Sequence, residues 1–183
     1  MKVKTLFILS LAAITLSGCL VYEKVSYEIS VDGKKSGEVK VTFYDLKSDA
    51  LGNKEFNVDK ETLFDKLFKS DEFILSQKEE GKEVINRKLF VEDKKLNGEV
   101  SFKFKDIYVV EGIQQQDGYY FLTVEEGDSI ISTNGTIVPL KKFKRIIWDG
   151  HEKVLKFEML TDVTLNDLRE LTPFYKSNEP NDD

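Results

Sequence analysis

The amino-acid sequence predicts an α+β domain made mostly of antiparallel β-strands: a curved or two-layer sheet of eight or nine strands with one or two short helices packed on it. Three observations carry this. Apolar and polar residues alternate at period two along most of the chain, the pattern of strands with one face buried. Turns rich in Gly, Asp and Asn separate the alternating segments at short intervals. Helical periodicity is confined to two short stretches.

The elements follow in order. Val25, Tyr27, Ile29 and Val31 alternate with Lys24, Ser26, Glu28 and Ser30, which reads as a half-buried strand. A turn over residues 32–37 leads to Val39, Val41 and Phe43, alternating with Lys40 and Thr42, so the two segments form a hairpin. A second hairpin is expected from residues 84–91 and 100–104, joined by a turn over 93–98. Residues 118–124 are apolar on both phases and read as a central or covered strand. Ile130 and Ile131 open another strand, and Asn134-Gly135 predicts a two-residue hairpin into residues 136–140. Residues 145–148, the turn Asp149-Gly150 and residues 153–160 give the last hairpin.

Asp59 is expected to cap a short helix that places Leu63, Phe64, Leu67 and Phe68 on one face. Thr164 with Asp167 forms a capping-box pattern ahead of Leu165, Leu168 and Leu171, and Pro173 discourages continuation. Residues 176–183, rich in Asn, Pro and Asp, read as a disordered acidic tail. The segments from Asp32 to Val39 and from Asp93 to Val100 align at a constant offset, continuing through Phe43 with Phe104. A duplicated hairpin explains this, and so does the common need of turns for Asp, Lys and Gly.

The N-terminus carries a different signal. Lys2 and Lys4 precede an apolar run over residues 6–16 broken only by Ser10 and Thr15, and Leu16-Ser17-Gly18-Cys19 follows. A positive start, a short apolar core and small residues at the cut make a secretory signal, and about 11 residues are too few to span a bilayer, which needs roughly 20. Leu16-Ser17-Gly18-Cys19 resembles the lipobox of bacterial lipoproteins. The resemblance implies cleavage between Gly18 and Cys19, a diacylglyceryl thioether on Cys19 and a further acyl chain. Two or more chains hold a protein on a membrane where one binds only marginally. The expected organisation is a signal peptide at 1–18, one β-rich domain at 19–175 and a tail at 176–183. Regular alternation begins by Val25 and at the earliest at Tyr22, so three to five residues, reaching roughly 10–17 Å, are expected between lipid and fold.

Cys19 is the sole cysteine of the chain, so the exported domain is expected to lack disulfides and to be held by its core. Cleavage leaves 165 of the 183 residues, enough for one domain, and removes Lys2 and Lys4, taking the net charge from −6 to −8. That acidity argues against nucleic-acid binding and gives no general attraction to an anionic bilayer.

Candidates for chemistry are few. His151 is the single histidine and sits beside a turn, where an exposed, idle role is the expectation. No nucleophile elbow, zinc-ligand pair or phosphate-cradling loop is present, and no cofactor is expected. Ser129, Ser132 and Thr133 have no base close in sequence, and Glu125, Glu126 and Asp128 lack calcium-loop spacing and read as a solvated tip. Lysines cluster at turns: Lys34-Lys35, Lys94-Lys95, Lys141-Lys142, and Lys144 with Arg145. They serve solubility, or meet lipid phosphates if they converge at the membrane end. Tyr119, Tyr120, Phe121, Phe102 and Phe104 line a ligand pocket or fill a core.

The lipobox followed by a strand, an Asp-Gly turn and Ser36-Gly37-Glu38-Val39 resembles the start of LppM-type envelope lipoproteins, which implies contact with lipid. The expectation is a lipid-anchored cell-envelope protein with a non-catalytic domain that binds a lipid or another hydrophobic ligand. The alternative is a scaffold subunit that binds another envelope protein, and the third class is an enzyme with an unrecognised carboxylate pair. Leu20-Val21 after Cys19 lacks the Asp that retains some lipoproteins at an inner membrane, which favours the periplasmic face of the outer membrane in a two-membrane host.

Overall fold

A computed structural model describes residues 20–32, 35–125, 127–161 and 167–175. In chain order its elements are β1 (Leu20–Val21), β2 (Lys24–Asp32), β3 (Ser36–Tyr44), β4 (Lys47–Ser48), α1 (Asn53–Glu61), a π-helical turn (Thr62–Leu67), α2 (Asp71–Glu79), β5 (Lys82–Glu92) and β6 (Lys95–Phe104). There follow a 3₁₀ turn (Ile107–Val109), β7 (Ile113–Gln116), β8 (Tyr119–Glu125), β9 (Ser129–Thr133), β10 (Thr136–Pro139), β11 (Phe143–Asp149), β12 (Val154–Leu160), β13 (Arg169–Glu170) and a 3₁₀ turn (Thr172–Phe174). The class is the expected α+β one. The strands, all antiparallel, form a six-stranded sheet (β5-β6-β3-β2-β12-β9), a four-stranded sheet (β10-β11-β8-β7) and a small one (β1-β4-β13).

The two larger sheets face each other over one core. Val25, Ile29 and Val31 of β2, Val39 and Val41 of β3, Phe102 and Phe104 of β6, and Leu155 and Phe157 of β12 meet Tyr120, Leu122 and Val124 of β8 and Ile146 and Trp148 of β11. Each such side chain contributes about 1.5–3 kcal/mol on burial. Leu67, Phe68 and Phe73 from the helical segment join this core. A second cluster, with Leu46, Phe56, Leu63, Leu96 and Leu171, forms around α1 and the tip of the β5–β6 hairpin.

The first two expected hairpins are present, β2–β3 and β5–β6. The second turns more tightly than its sequence suggests. Asp93 and Lys94 alone make the turn, both at positive φ (50° and 64°), while residues 95–98 belong to β6. Gly98 is in a strand and not in a turn: a Cβ there would lie 3.0 Å from the Phe68 ring and 3.1 Å from Leu46. The two hairpins abut through β3 and β6, where Gly37 pairs with Phe104 and Phe43 with Gly98. The residues aligned by the internal similarity thus pair reciprocally, as a local two-fold axis between β3 and β6 requires.

Two other expected hairpins do not form. β9 and β10, on either side of Asn134-Gly135, do not pair with each other: β9 joins β12 in the large sheet and β10 joins β11 in the four-stranded one. Asn134-Gly135 is a corner between layers. Likewise β11 and β12, flanking Asp149-Gly150, belong to different sheets. Local turn chemistry favours a sharp reversal but does not decide which strand each arm then meets. A hairpin not among those expected, β7–β8, turns at Asp117-Gly118, an Asp-Gly pair with both residues at positive φ (52° and 83°) that signals a two-residue turn.

Helix positions also differ. Asp59 does not cap α1; the helix starts after Gly52, and Asp59 lies buried within it, accepting a 2.5 Å hydrogen bond from Ser48 Oγ. The second helix is α2, capped by Ser70, whose side chain accepts from the Glu72 amide. In the capping-box segment, Thr164 and Leu165 lie outside the described residues, while Asp167 is in a turn and Arg169–Glu170 form β13 on β4. Pairing with β4 and burial of Leu171 override the local helical pattern there. The expected signal peptide with Gly18 and Cys19, and the tail at 176–183, also fall outside the described residues.

Candidate functional site

One face of the six-stranded sheet packs on the core; among the described residues no element covers the other. The outward phase of its strands is polar: Ser26 and Glu28 on β2, Lys40 and Thr42 on β3, Glu99 on β6, Lys156 and Glu158 on β12. Both edge strands carry a β-bulge, with Ile85 as the extra residue in β5 and Ile131 in β9. A bulge bends its strand and raises the local twist, and here the outer face is concave: residues from all six strands line one trough of about 310 Å³.

The floor of the trough carries the hydroxyls of Ser26 and Thr42, and Ser132 stands at one side. Two aromatic residues flank the floor. Tyr44 is held by the Lys24 ammonium 4.4 Å from its ring centroid and by its hydroxyl 3.4 Å from Ser26 Oγ. Phe90 has Lys88 5.4 Å from its ring centroid. Four carboxylates line the walls, Glu28, Glu92, Glu99 and Glu158. Glu28 pairs with Lys156 (3.2 Å), Glu99 with Lys88 (3.4 Å), and Glu158 with Lys24 while accepting from Ser132 Oγ at 3.3 Å. The Glu158 contact holds the Lys24 ammonium above its ordinary value. The trough is therefore near neutral and rich in donors, acceptors and ring faces. Three of its four carboxylates are ion-paired, a poor arrangement for a group that must take up and release a proton.

A second depression of about 590 Å³ lies along edge strand β7 between Tyr108, Gln115 and Phe121, and is wide open to solvent. The Tyr108 hydroxyl donates to the Gln115 carbonyl at 3.1 Å, so part of this edge is already capped.

The residues singled out in sequence do not gather at either place. Phe102, Phe104 and Tyr120 are buried in the core; Phe121 sits on the opposite face of β8 beneath the Arg145 guanidinium, and Tyr119 is half exposed. His151 is exposed, its backbone N–H donating to Asp149 Oδ1 at 2.8 Å. Ser129 and Thr133 are on β9, and Thr133 Oγ1 donates to the Lys156 carbonyl at 2.7 Å. Lys144 donates to the Asp128 carbonyl at 3.0 Å, and Glu126 lies outside the described residues. The lysine turns divide. Lys95 is bound to Glu23 and Asp45 at the end where the chain enters the fold, and the 140–142 loop neighbours Asp128 at that same end. Lys35 lies at the far end, over the Tyr108 ring. Among the described residues no group of three His, Cys, Asp or Glu is placed to hold a metal ion, and no helix is long and apolar enough to cross a membrane.

The chain enters the fold earlier than the sequence suggests. Leu20, the residue after Cys19, is already in β1 and pairs with Ser48. The tether expected from the sequence, three to five free residues, is absent because β1 precedes the first alternating strand.

No family model, curated protein or solved structure matches this chain.

Proposed function

We propose that the protein is a cell-envelope lipoprotein, held on a membrane through lipid on Cys19, whose domain is a non-catalytic module that binds an envelope partner in the trough of its large sheet. In a two-membrane host the expected seat is the periplasmic face of the outer membrane. The observation that carries the reading is the uncovered concave sheet face, with Tyr44 and Phe90 flanking a hydroxyl floor and with matched charges around it. Aromatic faces at low entropic cost and directional polar groups are what recognition surfaces use. The interior supports a polar partner over an acyl chain: Ile29, Val39, Ile146, Trp148 and Leu155 fill the space between the sheets with at most 2 % exposure each.

In-cell photocrosslinking tests this. A benzoyl-phenylalanine replacing Phe90 in the full-length chain is expected to give a discrete adduct that disappears when Thr42→Arg fills the trough. Equal adducts with and without Thr42→Arg, or none beyond those from a probe at Lys35, would refute the trough as the binding surface.

A further inference from the structure

With Leu20 paired in β1, a lipidated Cys19 would sit with its Cα about 3.8 Å from a residue of the fold. No free spacer lets the domain turn away, so the surface around Leu20 must lie against the bilayer. That surface is built by β1, β4, β13 and the start of α1. Leu20 and Arg169 both pair with Ser48, one on each side of β4. Three residues beyond Ser48, Leu51 is 93 % exposed, and Phe174 is 46 % exposed.

Phe174 has unusual companions. The Arg169 guanidinium lies 3.7 Å from the centroid of Phe56 and donates to the Gly52 carbonyl and to Asn53 Oδ1, both at 3.1 Å. Phe56 meets Phe174 edge to face at 5.4 Å, and the Lys60 ammonium lies 4.3 Å from the Phe174 centroid. Among the described residues neither Arg169 nor Lys60 forms a salt bridge. Exposed apolar tips backed by cations on aromatic faces match a bilayer interface, where apolar groups enter the acyl boundary and long basic side chains reach phosphates. Acidic Asp49, Glu55 and Glu170 lie nearby, Glu170 paired with Lys47 at 3.0 Å, and they keep the corner close to neutral. The lipid therefore supplies residence, and the corner supplies orientation.

We infer that this corner is the face on which the domain rests on its membrane, with Leu51 and Phe174 entering the interface and Arg169 and Lys60 meeting lipid phosphates. The inference rests on the reading that Cys19 is lipidated, and it adds a fixed pose from which the large sheet meets a partner.

Cys19 is the sole cysteine, and lipidation consumes its thiol, so an introduced cysteine is a unique labelling site. The lipidated full chain, carrying an environment-sensitive fluorophore on Leu51→Cys, Phe174→Cys or Tyr119→Cys, would be placed in phosphatidylethanolamine–phosphatidylglycerol vesicles with nitroxide-labelled lipid. The labels at 51 and 174 are expected to be quenched severalfold more than the label at 119, beside the β7–β8 turn. Leu51→Asp, an exposed change that leaves the core intact, is expected to lower quenching at 174. Equal quenching at all three sites in a chain that floats with the vesicles would overturn the pose while leaving lipidation intact. A chain that does not float would overturn the anchoring reading, and the pose with it.

Discussion

The Trp148 indole N–H donates to Asn134 Oδ1 at 2.8 Å, tying the four-stranded sheet to the corner where the chain leaves the six-stranded one. The same oxygen accepts from the Lys156 amide at 2.8 Å, and Asn134 Nδ2 donates to the Val154 carbonyl at 2.8 Å. One side chain therefore fastens β9, β11 and β12 together. Asn134→Ala leaves a buried indole N–H without its partner, which costs about 1–3 kcal/mol. Trp148 is the sole tryptophan, so its emission should report the change directly, alongside a lowered urea midpoint. Gly135→Ala should be at least as harmful, because a Cβ there would stand 2.7 Å from Ile146 and 2.8 Å from Trp148. An unchanged midpoint in both variants would remove the corner from the account of stability.

Lys82, at the start of β5, is 2 % exposed and bonds Glu111 at 2.7 Å and Glu80 at 3.0 Å. Burial pushes its ammonium down, but Glu111 and Glu80 together outweigh burial and hold it above the ordinary 10.5. A base raised in the folded state stabilises fully below its ordinary value and loses that contribution as pH rises through the folded value. The stability attributed to Lys82 should thus be intact at neutral pH and fall only in strong alkali. Lys82→Ala would take away the ammonium that Glu111, 26 % exposed, bonds at 2.7 Å, at about 1–3 kcal/mol. Lys82→Met with Glu111→Gln, which removes both charges, should recover most of that loss; a double variant as weak as the single one would contradict this.

Asp59 has the opposite consequence for pH. Burial raises its carboxyl above the ordinary 3.8, the Ser48 hydrogen bond lowers it, and nearby Asp49 raises it again. The folded state then holds this proton more tightly than the unfolded chain does. Its contribution is greatest below the ordinary value and is lost as pH rises through the folded value. Asp59→Asn keeps an acceptor for Ser48 and removes the ionisation. The variant should gain stability relative to the parent between pH 4 and pH 7, measured by urea midpoints across that range. A difference between the two that does not change with pH would refute the assignment.

The strands were largely legible in the sequence because period-two alternation needs only one packed face, as in Val25, Tyr27, Ile29 and Val31. What the strands pair with was less legible. Asn134-Gly135 has hairpin chemistry, yet β9 finds β12 instead of β10, a choice made by the far-off residues of the partner strand. Gly98 reads as a turn residue because its reason, the Phe68 ring and Leu46 standing where a Cβ would go, comes from residues far off in the sequence. The trough was invisible for a related reason. Ser26, Thr42, Tyr44, Phe90 and Glu158 are ordinary outward positions on four strands, and only the curvature of the sheet brings them together.

On the proposed function, Cys19 is the membrane attachment and β1 begins directly behind it. The decisive measurement is the intact mass of the full-length chain expressed in a bacterial host and extracted from its membranes with detergent. Loss of residues 1–18 and a mass increase of a diacylglyceryl group with a further acyl chain are expected, both abolished by Cys19→Ala. An unmodified chain recovered from the soluble fraction, with or without cleavage, would contradict it.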